Sequence, residues 1–146
     1  MSDIIWFNKE IELKDILHPR EQTLSSHLGM ELTELGKDYL IGRMPVDHRT
    51  RQPHGLLHGG ASVALAETLG SVGAWLTVDP EKFNVVGLEI NANHVRSARH
   101  GFVSGVARPL HKGANTQVWD IRISDEEARL VCVSRLTVAV IPKKQA

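Results

Sequence analysis

Between Gly59 and Val78 the sequence runs for 20 residues with a single charged side chain, Glu67. Such a stretch is long enough to span a bilayer as a helix. Yet Gly59, Gly60, Ser62, Thr68, Gly70, Ser71, Gly73 and Thr77 leave it weakly apolar. A carboxylate at mid-span adds about 2.5–3.5 kcal/mol of insertion cost. The stretch therefore reads as a helix buried in a soluble, cytoplasmic protein. A helix apolar on nearly every side must be covered nearly all round. The small residues Ala61, Ala64, Ala66, Gly70, Gly73 and Ala74 let other backbone approach it closely. Met1–Glu10 has neither the basic start nor the apolar run of a signal peptide.

What covers this helix is legible in the flanks. Residues 1–35 read as a peripheral helical segment, with Ile11, Leu13, Ile16 and Leu17 among charged neighbours and Pro19 ending the run. A short turn over Gln22–Leu28 stops at Gly29. Strand patterns follow at 37–46, 83–92, 101–108, 116–124 and 130–141. The clearest is 116–124, where Gln117, Trp119, Ile121 and Ile123 alternate with Val118, Asp120 and Arg122. Four strands at hairpin spacing after the helix predict an antiparallel sheet curled around it, an α+β architecture. Nothing divides the chain, so residues 1–146 read as one domain.

Glu67 is the residue that such a helix does not explain. Burying an unpartnered carboxylate is costly and raises its pKa, which makes it a candidate functional group. A half-exposed position, or a carboxylate satisfied by Thr68 or a distant arginine, would equally account for it. Ser71 lies four residues on and can share its face. The helix start, His58-Gly59-Gly60, offers free N–H groups and the positive end of the helix dipole. A carbonyl oxygen turning into an oxyanion would be stabilised there, with His58 as a further donor. A tight entry turn is the plainer account of the two glycines.

The two features cannot serve one site within one chain. Gly60 and Glu67 stand seven residues apart, about 10 Å along a helix axis. A twofold partner with an antiparallel helix would set its Glu67 against this chain's Gly60. The expectation is a homodimer with shared sites.

Composition narrows the alternatives. Lys plus Arg and Asp plus Glu both number 17, so the formal charge is zero and no basic face for nucleic acid is expected. The single cysteine, Cys132, excludes an internal disulfide and reads as core. Of eight histidines, His54 and His58 are four apart, but Gly55 interrupts them, and no metal site is expected. Arg96, Arg99, Arg108, Lys112 and Arg135 offer local positive charge for an anionic ligand.

The segments Gln52-Pro53-His54-Gly55-Leu56-Leu57-His58-Gly59-Gly60-Ala61-Ser62 and Ala64-Leu65-Ala66-Glu67-Thr68-Leu69-Gly70-Ser71 resemble the hot dog-fold acyl-CoA thioesterases. The similarity extends through His27-Leu28-Gly29, Met44-Pro45-Val46-Asp47, Val85-Val86-Gly87 and Asn91-Ala92-Asn93-His94, nearly the whole chain. It points to the branch containing 4-hydroxybenzoyl-CoA thioesterase and 1,4-dihydroxy-2-naphthoyl-CoA hydrolase. The resemblance implies a curled sheet around a central helix, dimers commonly paired into tetramers, and hydrolysis of acyl-CoA with no metal or cofactor. It implies Glu67 as nucleophile or general base, assisted by Ser71. The N–H of Gly59 or Gly60 would polarise the thioester carbonyl, oriented by Gln52 and His58. Gln52, His58 and Gly59 would come from one subunit, Glu67 and Ser71 from the other. His94 and His54 would line the acyl pocket, while Arg96 and the loop His111-Lys112-Gly113-Ala114-Asn115 would lie near the nucleotide. Ala114 stands where the family often carries arginine, leaving Lys112 as the phosphate contact. His54 stands where an aromatic residue is common and would favour a hydroxylated acyl group. An aromatic or hydroxyaryl acyl group is implied, with a role in menaquinone biosynthesis open. A hot dog dehydratase or hydratase using His58 and Glu67, and a non-catalytic acyl-CoA binding protein, are the competing functions.

Overall fold

A computed structural model describes residues 3–17 and 21–144. Two four-residue helices, α1 (Leu13–Ile16) and α2 (Leu24–His27), precede two strands, β1 (Glu31–Leu35) and β2 (Leu40–Pro45). The long helix α3 (Gly59–Leu76) follows, then β3 (Phe83–His94), β4 (Phe102–Lys112), β5 (Thr116–Ser124) and β6 (Leu130–Pro142). The six strands form one antiparallel sheet in the order β1-β2-β4-β5-β6-β3. Helix α3 packs against five of them, β2 to β6. This is the hot dog arrangement of a sheet wrapped on one helix.

The register follows from side-chain alternation. Gln117, Trp119, Ile121 and Ile123 are buried, and the intervening residues of β5 are not. Leu65, Ala66, Leu69, Gly70, Gly73 and Ala74 face this surface from α3. The opposite stripe of α3 is not covered: Ala64, Glu67, Thr68 and Ser71 are half-buried and Trp75 is 46% exposed. The chain thus encloses one side of its central helix.

The N-terminal region departs from the helical expectation. Residues 31–35 form β1, because Leu32 and Leu35 pack on the core while the residues between face outward. Nor is the segment merely peripheral. Trp6 is 2% exposed and stacks on Trp119 with ring centroids 6.5 Å apart. Its indole N–H donates to the Gly36 carbonyl at 2.7 Å. Gly29 follows α2 at φ 70°, the left-handed stop expected of it. The stop assigned to Pro19 lies outside the described residues.

Candidate active site

The loop from Asp47 to His58 carries the chain into α3, and its own hydrogen bonds fix its shape. Asp47 accepts from the Arg49 backbone N–H at 2.9 Å and from its guanidinium at 2.7 Å. The Arg49 guanidinium holds the Asp47 carboxyl down at about 2. Gln52 Oε1 accepts from the backbone N–H groups of His54 and Leu56. Its amide NH2 is therefore the end left for a ligand.

At the helix start His58 is the N-cap. Its Nδ1 accepts the Gly60 N–H at 2.8 Å. This corrects one expectation: Gly60 has already spent its N–H on the cap. The Gly59 N–H has no hydrogen-bond partner among the described residues and is the donor available to an oxyanion. A neutral ring accepting at Nδ1 carries its proton on Nε2, so His58 can also donate.

An open cavity of about 740 Å³ lies here. Gln52, Gly59, His94 and Arg96 line it, together with Leu56, Leu57, Ser62, Val95, Ser97 and Val131. His94, at the end of β3, stands directly over Gly59: a Cβ built there would meet His94 Nε2 at 2.9 Å. Four residues expected at one site thus converge on one cavity. His54 and His58 are exposed at its loop and do not line it. The apolar lining from Leu56, Leu57, Val95 and Val131 carried no signal in the sequence, because nothing local separates these four from the other apolar residues of the chain.

Lys112 and Gly113 fall elsewhere. With Ala114 they line a second cavity of about 420 Å³ beyond the C-terminal end of α3, beside Phe7, Thr77, Lys82 and Phe83. Burial and the charge of Lys9 lower the Lys112 pKa. Asn115 lies outside this lining; its carbonyl accepts the Val140 N–H at 2.8 Å. Arg108 is engaged by Asp38 at 3.1 Å and stacks on Tyr39, so it is not free for a ligand.

Glu67 and Ser71 lie on the open stripe of α3, away from the larger cavity of their own chain. Among the described residues Glu67 has neither hydrogen bond nor ion pair. Burial raises its pKa. Its Oε1 lies against Gly87 of β3, where a Cβ would come within 2.6 Å. The sequence suggested Thr68 or an arginine as a partner for Glu67. Instead the Thr68 hydroxyl donates to the Ala64 carbonyl at 2.7 Å. Cys132 is buried in β6.

The thioesterase superfamily profile matches residues 54–132. The chain is 52% identical to the 1,4-dihydroxy-2-naphthoyl-CoA hydrolase of Escherichia coli, over 94% of this chain and 100% of that one. It superposes with TM-score 0.91 on a mutant thioesterase of Pseudomonas aeruginosa, at 44% identity over 95% of this chain and 99% of that one. A Staphylococcus aureus protein aligns with TM-score 0.80 at 41% identity, over 83% of this chain and 100% of that one. It is known as a glutamate-to-alanine and as a glutamine-to-alanine variant.

Proposed function

Because this chain belongs to the thioesterase superfamily and hydrolyses acyl-CoA thioesters, we propose that its active site is assembled across a homodimer. The cavity at the start of α3 receives the thioester. The Gly59 N–H and the Gln52 amide donate to its carbonyl, and His58, on the adjoining loop outside the lining, offers Nε2 as a donor to the substrate as it enters. The partner's Glu67 supplies the reacting carboxylate and the partner's Ser71 holds it or the water. The observation that carries this reading is the separation of the parts. Among the described residues the Gly59 N–H and the Glu67 carboxylate both lack a partner, but they stand eight residues apart, about 12 Å along one helix. The uncovered stripe bearing Glu67, Ser71 and Trp75 supports a second copy lying against it. Pairing of dimers into tetramers rests on the resemblance alone.

The chemistry follows from those groups. As base, Glu67 takes a proton from water while the oxygen adds to the thioester carbon. The negative charge that develops on the carbonyl oxygen is met by Gly59 N–H. Collapse breaks the carbon–sulfur bond and expels the CoA thiolate, which is then protonated. As nucleophile, the carboxylate adds to the same carbon, the carbon–sulfur bond breaks with loss of the CoA thiolate, and water opens the resulting anhydride to the acid and the free Glu67 carboxyl. A single turnover in heavy-oxygen water followed by rapid quench separates the two: label in the protein, or a trapped acyl-protein anhydride, marks the nucleophile, and label in the acid product with no acyl-protein marks the base.

For the acyl group we propose an aromatic one bearing hydroxyls, such as 1,4-dihydroxy-2-naphthoyl. The support is the name of the Escherichia coli relative and a cavity lined by Leu56, Leu57, Val95 and Val131 with polar Gln52, His94 and Ser97 at its wall. Arg96 and the Lys112 cavity are offered to the CoA phosphates. The reaction needs no metal or added cofactor, and the working compartment is the cytoplasm. No helix among the described residues is long and apolar enough to cross a membrane. The test is kcat/KM, read by thiol release, for dihydroxynaphthoyl-, benzoyl-, phenylacetyl- and aliphatic-CoA. A preference for the aliphatic thioesters overturns the aromatic assignment. Near-normal hydrolysis by a folded Glu67→Ala protein overturns the site.

A further inference from the structure

Strand β3 changes its inward face half-way along. Phe83 and Val85 turn toward the helix side and are half-buried, and further on Ile90 and Ala92 are the half-buried ones. The parity switches from odd to even because Leu88 is an extra residue: Gly87 pairs with Val138 and Glu89 with Thr137. A bulge of this kind re-aims the side chains around it.

Gly87 is the last residue of the odd-numbered inward set, between Val85 and the bulge. Any other residue would send a side chain from this position toward α3. The space is taken instead by the Glu67 carboxylate, whose Oε1 would lie 2.6 Å from a Cβ at Gly87. No positive φ requires glycine here. The contact with Glu67 is what a side chain here would disturb.

We infer that Gly87 is a positioning residue for thioester hydrolysis: its missing side chain is the niche that sets where the Glu67 carboxylate stands. This rests on the reading of Glu67 as the reacting carboxylate. In sequence the niche lies between Val85 and the bulge at Leu88, and α3 delivers Glu67 into it. The far end of a glutamate is also the most easily displaced group in the contact. A methyl at position 87 is therefore absorbed by moving the carboxylate and not by disrupting the sheet.

The test is Gly87→Ala, alone and combined with Glu67→Asp, whose carboxylate is one methylene shorter and clears the added methyl. Glu67→Ala and Glu67→Asp are measured beside them, with oligomeric state checked throughout. Gly87→Ala is expected to lower kcat about ten- to a hundredfold with KM changed much less, since a displacement near 1 Å costs on that order. In the Glu67→Asp background the same change is expected to have little further effect. If Gly87→Ala fails to assemble, recovery of the assembled protein in the double variant supports the steric niche, and failure of both overturns it. Wild-type kcat in Gly87→Ala beside an inactive Glu67→Ala overturns the inference and leaves Glu67 in place. Equal losses in both backgrounds, or a loss confined to KM, also overturn it. An active Glu67→Ala overturns the reading beneath it instead.

Discussion

His58 Nδ1 accepts the Gly60 N–H at 2.8 Å, which closes the first turn of α3 and leaves the neighbouring Gly59 N–H as the open donor. One imidazole thus caps the helix and selects which of two glycines can meet a substrate. Its two nitrogens are separable by mutation. His58→Ala removes the cap and is expected to cost about 1 kcal/mol, near 3 °C in Tm. His58→Asn keeps a side-chain acceptor for the Gly60 N–H and should restore most of that Tm. It lacks the Nε2 donor, so kcat should stay low. Thermal melts beside steady-state kinetics decide it; equal Tm losses in both variants would contradict the cap.

Glu67 is half-buried and has no partner among the described residues, and burial raises its pKa. On the proposed role the carboxylate form does the chemistry, so kcat/KM should fall on the acid side with a midpoint above the usual 4.5. Replacing it by glutamine should lower kcat by about a hundredfold or more, the typical worth of a general base. Stability should move the other way. A carboxyl whose folded pKa is raised binds more protons folded than unfolded, so stability falls as pH rises through that window. Glu67→Gln should therefore melt higher than wild type at pH 7, with the difference vanishing below the ordinary carboxyl range. A lower Tm at neutral pH would show that the carboxylate is satisfied.

Asp47 carries the opposite shift. Arg49 holds it at about 2, below the usual 3.8. Its hydrogen bonds stabilise the fold fully above the ordinary value and are lost as pH falls toward 2. Asp47→Asn is expected to be about 1 kcal/mol less stable at neutral pH, with the gap closing between about 4 and about 2. Because this turn leads into Gln52, activity should fall as well. Denaturant melts across that pH range measure the gap.

Gly73 shows what happens when the neighbour cannot move. A Cβ there would lie 2.7 Å from the Trp119 ring. That ring is fully buried, stacked on Trp6, and held by its N–H to Gln117 Oε1 at 2.9 Å. Alanine would gain about 1 kcal/mol of helix propensity against about 1–3 kcal/mol of overpacking. Gly73→Ala should be net destabilised by about 1 kcal/mol, read as a lowered denaturant midpoint. A rise in stability would mean that the Trp6–Trp119 stack gives way.

The sequence carried the central helix, the strands after it and the carboxylate that breaks its apolar run. Each is a local pattern: twenty residues with one charge, strict alternation in 116–124, Gly-Gly at a helix start. Two-residue and 3.6-residue periods survive without knowledge of neighbours. Gln52, Gly59, His94 and Arg96 were named from the sequence, and the fold brings them to one cavity. The segment 1–35 does not stay wholly peripheral and helical, because Trp6 is buried by Trp119, more than a hundred residues away, and residues 31–35 become a strand by pairing with β2.

Other matters were decided only in three dimensions. Local spacing left Gly59 and Gly60 equivalent, and the hydrogen bond that Gly60 N–H donates to His58 Nδ1 separated them. The sequence offered Arg108 as one free cation among several, and Asp38, 70 residues away, removed it. Gly87 was an ordinary strand glycine until the fold set it opposite α3, just before a bulge, and Glu67 filled its empty side. Periodicity determines which face a residue occupies. Which atom it meets there depends on register, bulges and contacts between distant segments, and those are fixed only when the whole chain packs.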